Sequence, residues 1–112
     1  MKKLLALFCA VMMSVATFAN PNPCLSVRGA DNTVCASFGY GCSSAWSDEL
    51  TVYVSLENAS RGTTVVKVQV TTDYNSFTKT IYISNGEYSG SATFIIGEGN
   101  CGKVKILSAY VK

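Results

Sequence analysis

The chain has 112 residues, of which 48% are hydrophobic and only 14% are charged. Nine lysine and arginine residues stand against seven carboxylates, a balance too even to predict a nucleic-acid-binding domain. The sequence contains no histidine, which excludes the usual general base, the Ser-His and Cys-His nucleophile pairs and the commonest zinc ligand.

The first segment in chain order, residues 1–19, has the pattern of a bacterial secretory signal peptide. Lys2 and Lys3 precede an apolar run from Leu4 to Val15, and the segment ends in Thr17-Phe18-Ala19. From Leu4 to Ala19 the run is shorter than the roughly 20 residues that a membrane-spanning helix needs. We therefore expect cleavage after Ala19, export to the periplasm or the medium, and no membrane span in the mature protein. Without the two lysines, the nine basic residues become seven and balance the seven acidic ones.

The mature chain, residues 20–112, is expected to form one domain, and it retains four cysteines. Small exported domains are commonly braced by disulfides, so we expect two of them. Three connectivities are possible, and we favour Cys24–Cys35, which closes a hairpin, with Cys42–Cys101, which ties two glycine-rich loops. The alternative is a metal site of four thiolates, which the lack of a CxxC pair and the oxidising compartment disfavour. The prediction therefore includes no metal and no cofactor.

Short strands make up most of the mature chain, separated by turns rich in Gly, Asn, Asp and Ser. Residues 50–56 and 66–71 alternate apolar and polar side chains with period two, which indicates half-buried strands. About seven such strands predict an all-β fold, an antiparallel two-sheet sandwich. The predicted strands are residues 25–27, 34–38, 50–56, 66–71, 77–84, 87–94 and 103–111.

The pair Asn85-Gly86 gives the clearest local prediction. It is typical of a two-residue type I′ hairpin turn, in which both residues have positive φ. Folding the chain about this turn would place Ile81 directly opposite Gly90 on the paired strand. The apolar face of this hairpin would comprise Phe77, Ile81, Ile83, Tyr88, Ala92 and Phe94, with Lys79 at its rim.

Cys35, Trp46 and Cys101 follow the Cys…Trp…Cys order of an immunoglobulin domain, whereas Gly99 stands where such a domain has a tyrosine before its second cysteine. In strand number and length the mature chain resembles small bacterial immunoglobulin-like and fibronectin type III-like sandwiches. The resemblance implies two packed antiparallel sheets with loops clustered at their ends. It implies no particular ligand.

Aromatic residues in the predicted loops are the main functional candidates. Tyr40 and Trp46 lie in a segment rich in glycine, serine and cysteine, and Tyr74 lies in another loop. Tyr and Trp that are exposed on rigid loops are favoured anchors for protein and glycan partners. A second interpretation remains open, in which Trp46 and Phe38 fill the end of the core.

The available chemistry favours binding over catalysis. The adjacent carboxylates Asp48 and Glu49 point apart on an extended chain, so a glycosidase-type pair is not expected. Our hypothesis is an exported, non-enzymatic binding or structural module that engages a protein or a glycan but no nucleic acid. The alternative is a small periplasmic or secreted inhibitor or immunity-type protein that blocks a hydrolase.

Overall fold

The computed structural model describes residues 22–112, and the predicted signal peptide with its cleavage site lies outside this range. The described chain forms eight β-strands. It contains no helix long and apolar enough to cross a membrane. The strands are β1 (Cys24–Ser26), β2 (Thr33–Ala36), β3 (Tyr40–Cys42), β4 (Glu49–Leu56), β5 (Thr64–Thr71), β6 (Ser76–Ile83), β7 (Ser89–Ile95) and β8 (Cys101–Val111).

The eight strands form two four-stranded antiparallel sheets. Sheet 1 has the order β1-β2-β4-β7 and sheet 2 the order β3-β8-β5-β6. This confirms the predicted all-β two-sheet sandwich, with β3 as a strand that the sequence pattern did not reveal. A constant-type immunoglobulin domain orders one sheet first, second, fifth, fourth and the other third, sixth, seventh. The chain therefore shares the two-sheet architecture of those domains but not their strand order.

Alternating side chains place the core between the sheets. In β4, Leu50, Val52, Val54 and Leu56 are buried while the residues between them face outward, as a half-buried strand requires. β5 and β8 contribute further inward valines, and Phe94 of β7 is the largest fully buried side chain. The core residues are Val27, Val34, Ala36, Leu50, Val52, Val54, Leu56, Val66, Val68, Val70, Ile81, Ile83, Phe94, Ile96, Val104 and Ala109.

Each disulfide attaches a short edge strand to its neighbour. β1 and β3 are both three residues long and lie at sheet edges. Cys24 and Cys35 are directly opposed on β1 and β2, and Cys42 and Cys101 are directly opposed on β3 and β8. Their Cα atoms lie 4.0 and 3.9 Å apart. These are the two pairs that the sequence favoured, and intramolecular disulfides are typical of exported proteins.

The predicted hairpin about residues 85–86 is wrong, because β6 belongs to sheet 2 and β7 to sheet 1. The turn itself forms, since the Glu87 N–H donates to the Ser84 carbonyl over 3.0 Å. Gly86 has a φ of 87°, but Asn85 lacks the positive φ of a type I′ turn. Turns of the unprimed types splay the strands that they join, so the chain crosses here from one sheet to the other. Tyr88, predicted in the core, is 57% exposed.

Most side chains predicted on the inward face of the hairpin do face the core, but they contact one another from two different sheets. Ile81 and Ile83 of β6 and Phe94 of β7 are buried. Phe77 and Ala92 are partly buried against the same core. Lys79 is exposed on the inward side of β6, at the rim of the sandwich, where the sequence placed it.

Candidate functional site

Three loops meet at one end of the sandwich, which we call the loop end. They are residues 43–48, 72–75 and 96–100. β3, β5 and β7 end at these loops, and β4, β6 and β8 begin from them. The Cys42–Cys101 disulfide lies at the base of the first and third loops. The loop end is therefore built on a covalently joined strand pair.

Ser43 fastens the first loop to the third. Its hydroxyl donates a hydrogen bond to the Gly97 carbonyl and accepts one of 3.2 Å from the Asn100 N–H. Its own N–H donates to the Asn100 carbonyl over 2.8 Å. The Gly99 N–H adds a bond of 3.0 Å to the Ser44 carbonyl. Ser43 is buried, and sequence reasoning missed it because nothing in a Cys-Ser-Ser segment indicates partners more than 50 residues away.

Trp46 is 92% exposed at the tip of the first loop. The backbone N–H of Trp46 donates to the Ser44 hydroxyl over 3.1 Å, and the backbone N–H of Glu49 donates to the Ser47 hydroxyl over 3.2 Å. The loop is thus held by its own serines while its tryptophan side chain projects into solvent. This excludes the interpretation in which Trp46 fills the end of the core. Phe38 is partly buried against the core, as that interpretation expected.

Tyr40 and Tyr74 line one shallow cleft of about 240 Å³ at the loop end. Tyr40 is 48% exposed and Tyr74 is 80% exposed. Polar groups of Asp73 and Asn100 also line the cleft. The Thr72 hydroxyl accepts the Tyr74 N–H over 3.2 Å and so shapes the second loop. The structure brings these two candidate tyrosines together, whereas Trp46 stands on its own loop and does not line the cleft.

A larger cleft, of about 670 Å³, lies at the opposite end of the sandwich. It is lined by residues 29–32 and by Asn58, Ala59, Arg61, Thr64 and Val111. Two of its lining residues, Asn32 and Asn58, already bond to each other. Asn32 Nδ2 donates to the Asn58 carbonyl over 2.8 Å, and the Asn58 N–H donates to Asn32 Oδ1 over 2.9 Å. This cleft contains none of the candidate aromatic residues.

Charge is distributed unequally between the sheets, although the predicted mature chain is neutral overall. The strands of sheet 2 carry four lysines, Lys67, Lys79, Lys103 and Lys105, and no carboxylate. The strands of sheet 1 carry only one charged residue, Glu49. The remaining carboxylates lie in loops and turns. Net charge alone could not reveal this segregation, because it depends on which strands share a sheet.

Within residues 22–112, no three His, Cys, Asp or Glu residues are grouped closely enough to hold a metal ion. All four cysteines of this range are joined in disulfides.

Comparison of the chain with models of protein families, with curated proteins and with solved structures found no match. The features that bear on function are therefore the fold and the loop end.

Proposed function

We propose that this protein is an exported, non-enzymatic binding module that engages a protein or a glycan through the loop end. One observation carries the proposal: Trp46 is 92% exposed on a loop that the chain itself holds in place. Its side chain contributes almost nothing to the core. Loops of immunoglobulin-like and fibronectin type III-like sandwiches are common binding sites, and the shared architecture supports the same use here.

Burial of Trp46 against a partner would supply much of the binding free energy. An aromatic side chain of this size buries about 150–250 Å². At roughly 25 cal/mol per Å² this corresponds to about 4–6 kcal/mol before the entropy of association is subtracted. Because Ser44 and the bonds of Ser43 already order the loop, little further ordering is needed on binding.

The cleft between Tyr40 and Tyr74 supplies a second contact area. Aromatic rings there offer apolar faces, while Asp73 and Asn100 offer hydrogen-bonding groups at the same cleft. Apolar surface with a few placed polar groups suits both glycans and protein side chains. The choice between these two partner classes is left to experiment.

The test uses the mature protein immobilised as bait against envelope extract and medium from the producing cell. We compare the native chain, Trp46→Ala and Tyr88→Ala, the last a matched removal of an exposed aromatic at the opposite end. A specific partner should be captured by the native chain and Tyr88→Ala, and at least tenfold less by Trp46→Ala. Protease treatment of the extract then separates a protein partner from a glycan. Equal capture by all three proteins would reject the site.

A hydrolase inhibitor is a second form of the same proposal, because an exposed tryptophan on a braced loop can enter a concave active-site cleft. A panel of lysozymes and proteases tests it. Inhibition by the native chain that is lost in Trp46→Ala would support this form. Absence of inhibition by the native chain would remove it while leaving the binding proposal intact.

A further inference from the structure

Within residues 22–112 the sandwich has four edge strands, and three of them carry a feature that hinders pairing with another chain. β1 and β3 are only three residues long and are held by disulfides. β6 carries Lys79 on its inward side. Short edges and inward-pointing charges are common means by which proteins prevent edge-to-edge association. The free part of β8 beyond β3 is interrupted by an irregular register and by the Arg28–Tyr110 bridge.

β7, the fourth edge strand, carries none of these features. It spans seven residues, Ser89–Ile95, and contains no charged residue and no proline. Its register with β4 is continuous from Ser55↔Ser89 to Glu49↔Ile95, without a bulge. Ile95 at its end is also exposed. By the same criteria, β7 is an edge left open for pairing.

The hydrogen-bond pattern shows which groups of β7 are free. The Leu56 N–H donates to the Tyr88 carbonyl and the Ile96 N–H donates to the Asp48 carbonyl. Because antiparallel ladders alternate, the even-numbered residues of β7 bond to β4. Ser89, Ser91, Thr93 and Ile95 direct their N–H and C=O groups away from β4. Among the described residues, no turn or loop hydrogen bond uses these groups.

We propose that β7 pairs with β7 of a second copy of this chain, antiparallel and with a twofold axis at Ala92. This register places Ser91 opposite Thr93 of the second copy, and Ser89 opposite Ile95. Each of these pairs exchanges two backbone hydrogen bonds. The two copies of sheet 1 then form one continuous sheet. Because the paired strands run in opposite directions, the dimer presents its two loop ends in opposite directions.

The charge distribution favours a second copy at β7 rather than at β6. Pairing through β7 joins two sheets whose strands carry only Glu49, and the two Glu49 residues lie at opposite ends of the paired strands. Pairing through β6 would join two sheets that each carry four lysines and no carboxylate. Like charges on neighbouring strands oppose pairing. The same absence of charge on β7 permits self-association without repulsion.

Sedimentation of the mature protein over a range of concentrations tests the dimer, and proline variants locate its interface. Ser91→Pro and Thr93→Pro each remove an N–H that points away from β4, so the internal ladder is preserved. Thr78→Pro is the matched control, because Thr78 has the equivalent outward N–H on β6. We expect a dimer whose dissociation constant rises at least tenfold in the β7 variants but not in Thr78→Pro. A monomer at 100 μM, or equal dimerisation by all four proteins, would overturn the proposal.

Amide hydrogen exchange of the native protein provides a test that needs no variant. In the dimer, the amides of Ser91 and Thr93 should be protected, and dilution should remove their protection. The amides of Thr78 and Thr80 on β6 should exchange rapidly at every concentration. Rapid exchange of all four amides under dimer conditions would contradict pairing through β7. Protection of Ser91 and Thr93 that is independent of concentration would place another segment of the same chain on β7, and would also overturn the proposal.

Discussion

Gly90 of β7 and Ile81 of β6 face each other across the sandwich, and a Cβ atom on Gly90 would lie only 2.6 Å from Cγ2 of Ile81. The sequence pattern paired these two residues as directly opposed neighbours on the two strands of a hairpin. They are neighbours, but through side-chain packing between two sheets. The close approach of the sheets at this point depends on the missing side chain.

Gly90→Ala should therefore destabilise the protein by about 1–3 kcal/mol, the usual effect of overpacking a core. Urea unfolding measures the change. Ser91→Ala, at an exposed neighbouring position, should change the free energy of unfolding by less than about 0.5 kcal/mol. The effects of Gly90→Ala and Ile81→Ala should sum to more than the effect of the double variant. Strict additivity would mean that the two residues do not pack against each other.

The two disulfides should contribute unequally to stability. Their sequence separations are 11 for Cys24–Cys35 and 59 for Cys42–Cys101. In the chain-entropy model the longer loop gives about 4 kcal/mol and the shorter about 3 kcal/mol. Replacing each pair by alanines and measuring urea unfolding tests the order. A larger loss from the Cys24–Cys35 pair would contradict it.

Trp46→Ala should leave the free energy of unfolding within about 0.5 kcal/mol of the native value, because the side chain is almost wholly exposed. Phe94→Ala removes a fully buried ring and should cost about 3–5 kcal/mol. Thermal or urea unfolding of both variants gives the comparison. If Trp46→Ala lowered the free energy of unfolding by about 2 kcal/mol or more, as expected for a buried side chain, Trp46 would have to be packed in the core.

Lys79→Val should increase self-association through β6, because it removes the inward-pointing charge of that edge. Light scattering at increasing protein concentration measures the effect. Lys67→Val, on the central strand β5, removes the same charge without changing an edge. Equal association of the two variants would show that net charge, rather than protection of the β6 edge, controls self-association of the protein.

Local patterns predicted most of the strands. β4 alternates along its whole length and β5 alternates from Val66 onward, because each buries one face there. The four cysteines fall at directly opposed strand positions. The choice of partner strand could not be predicted in the same way. Asn85-Gly86 specifies a turn, but β6 forms eight residue pairs with β5, from Thr71↔Ser76 to Thr64↔Ile83, and this long ladder competes with the local hairpin.

The candidate site was predictable in its residues and not in its arrangement. The aromatic residues Tyr40, Trp46 and Tyr74 are evident in the sequence, but their exposure and grouping depend on which loops meet at one end. Ser43 was not recognised because its partners, Gly97 and Asn100, are distant in sequence. The number of lysines is evident in the sequence, but the grouping of four of them on sheet 2 depends on the strand order.

The fluorescence of Trp46 tests the proposed function most directly, because it is the chain's one tryptophan and lies at the tip of the proposed binding loop. In the free mature protein, its emission should be that of a water-exposed indole and should be quenched efficiently by iodide. On addition of the partner purified by the capture experiment, the emission should shift to shorter wavelength and the quenching should fall. Unchanged emission and quenching in the complex would show that the partner does not cover Trp46, and would contradict the proposal.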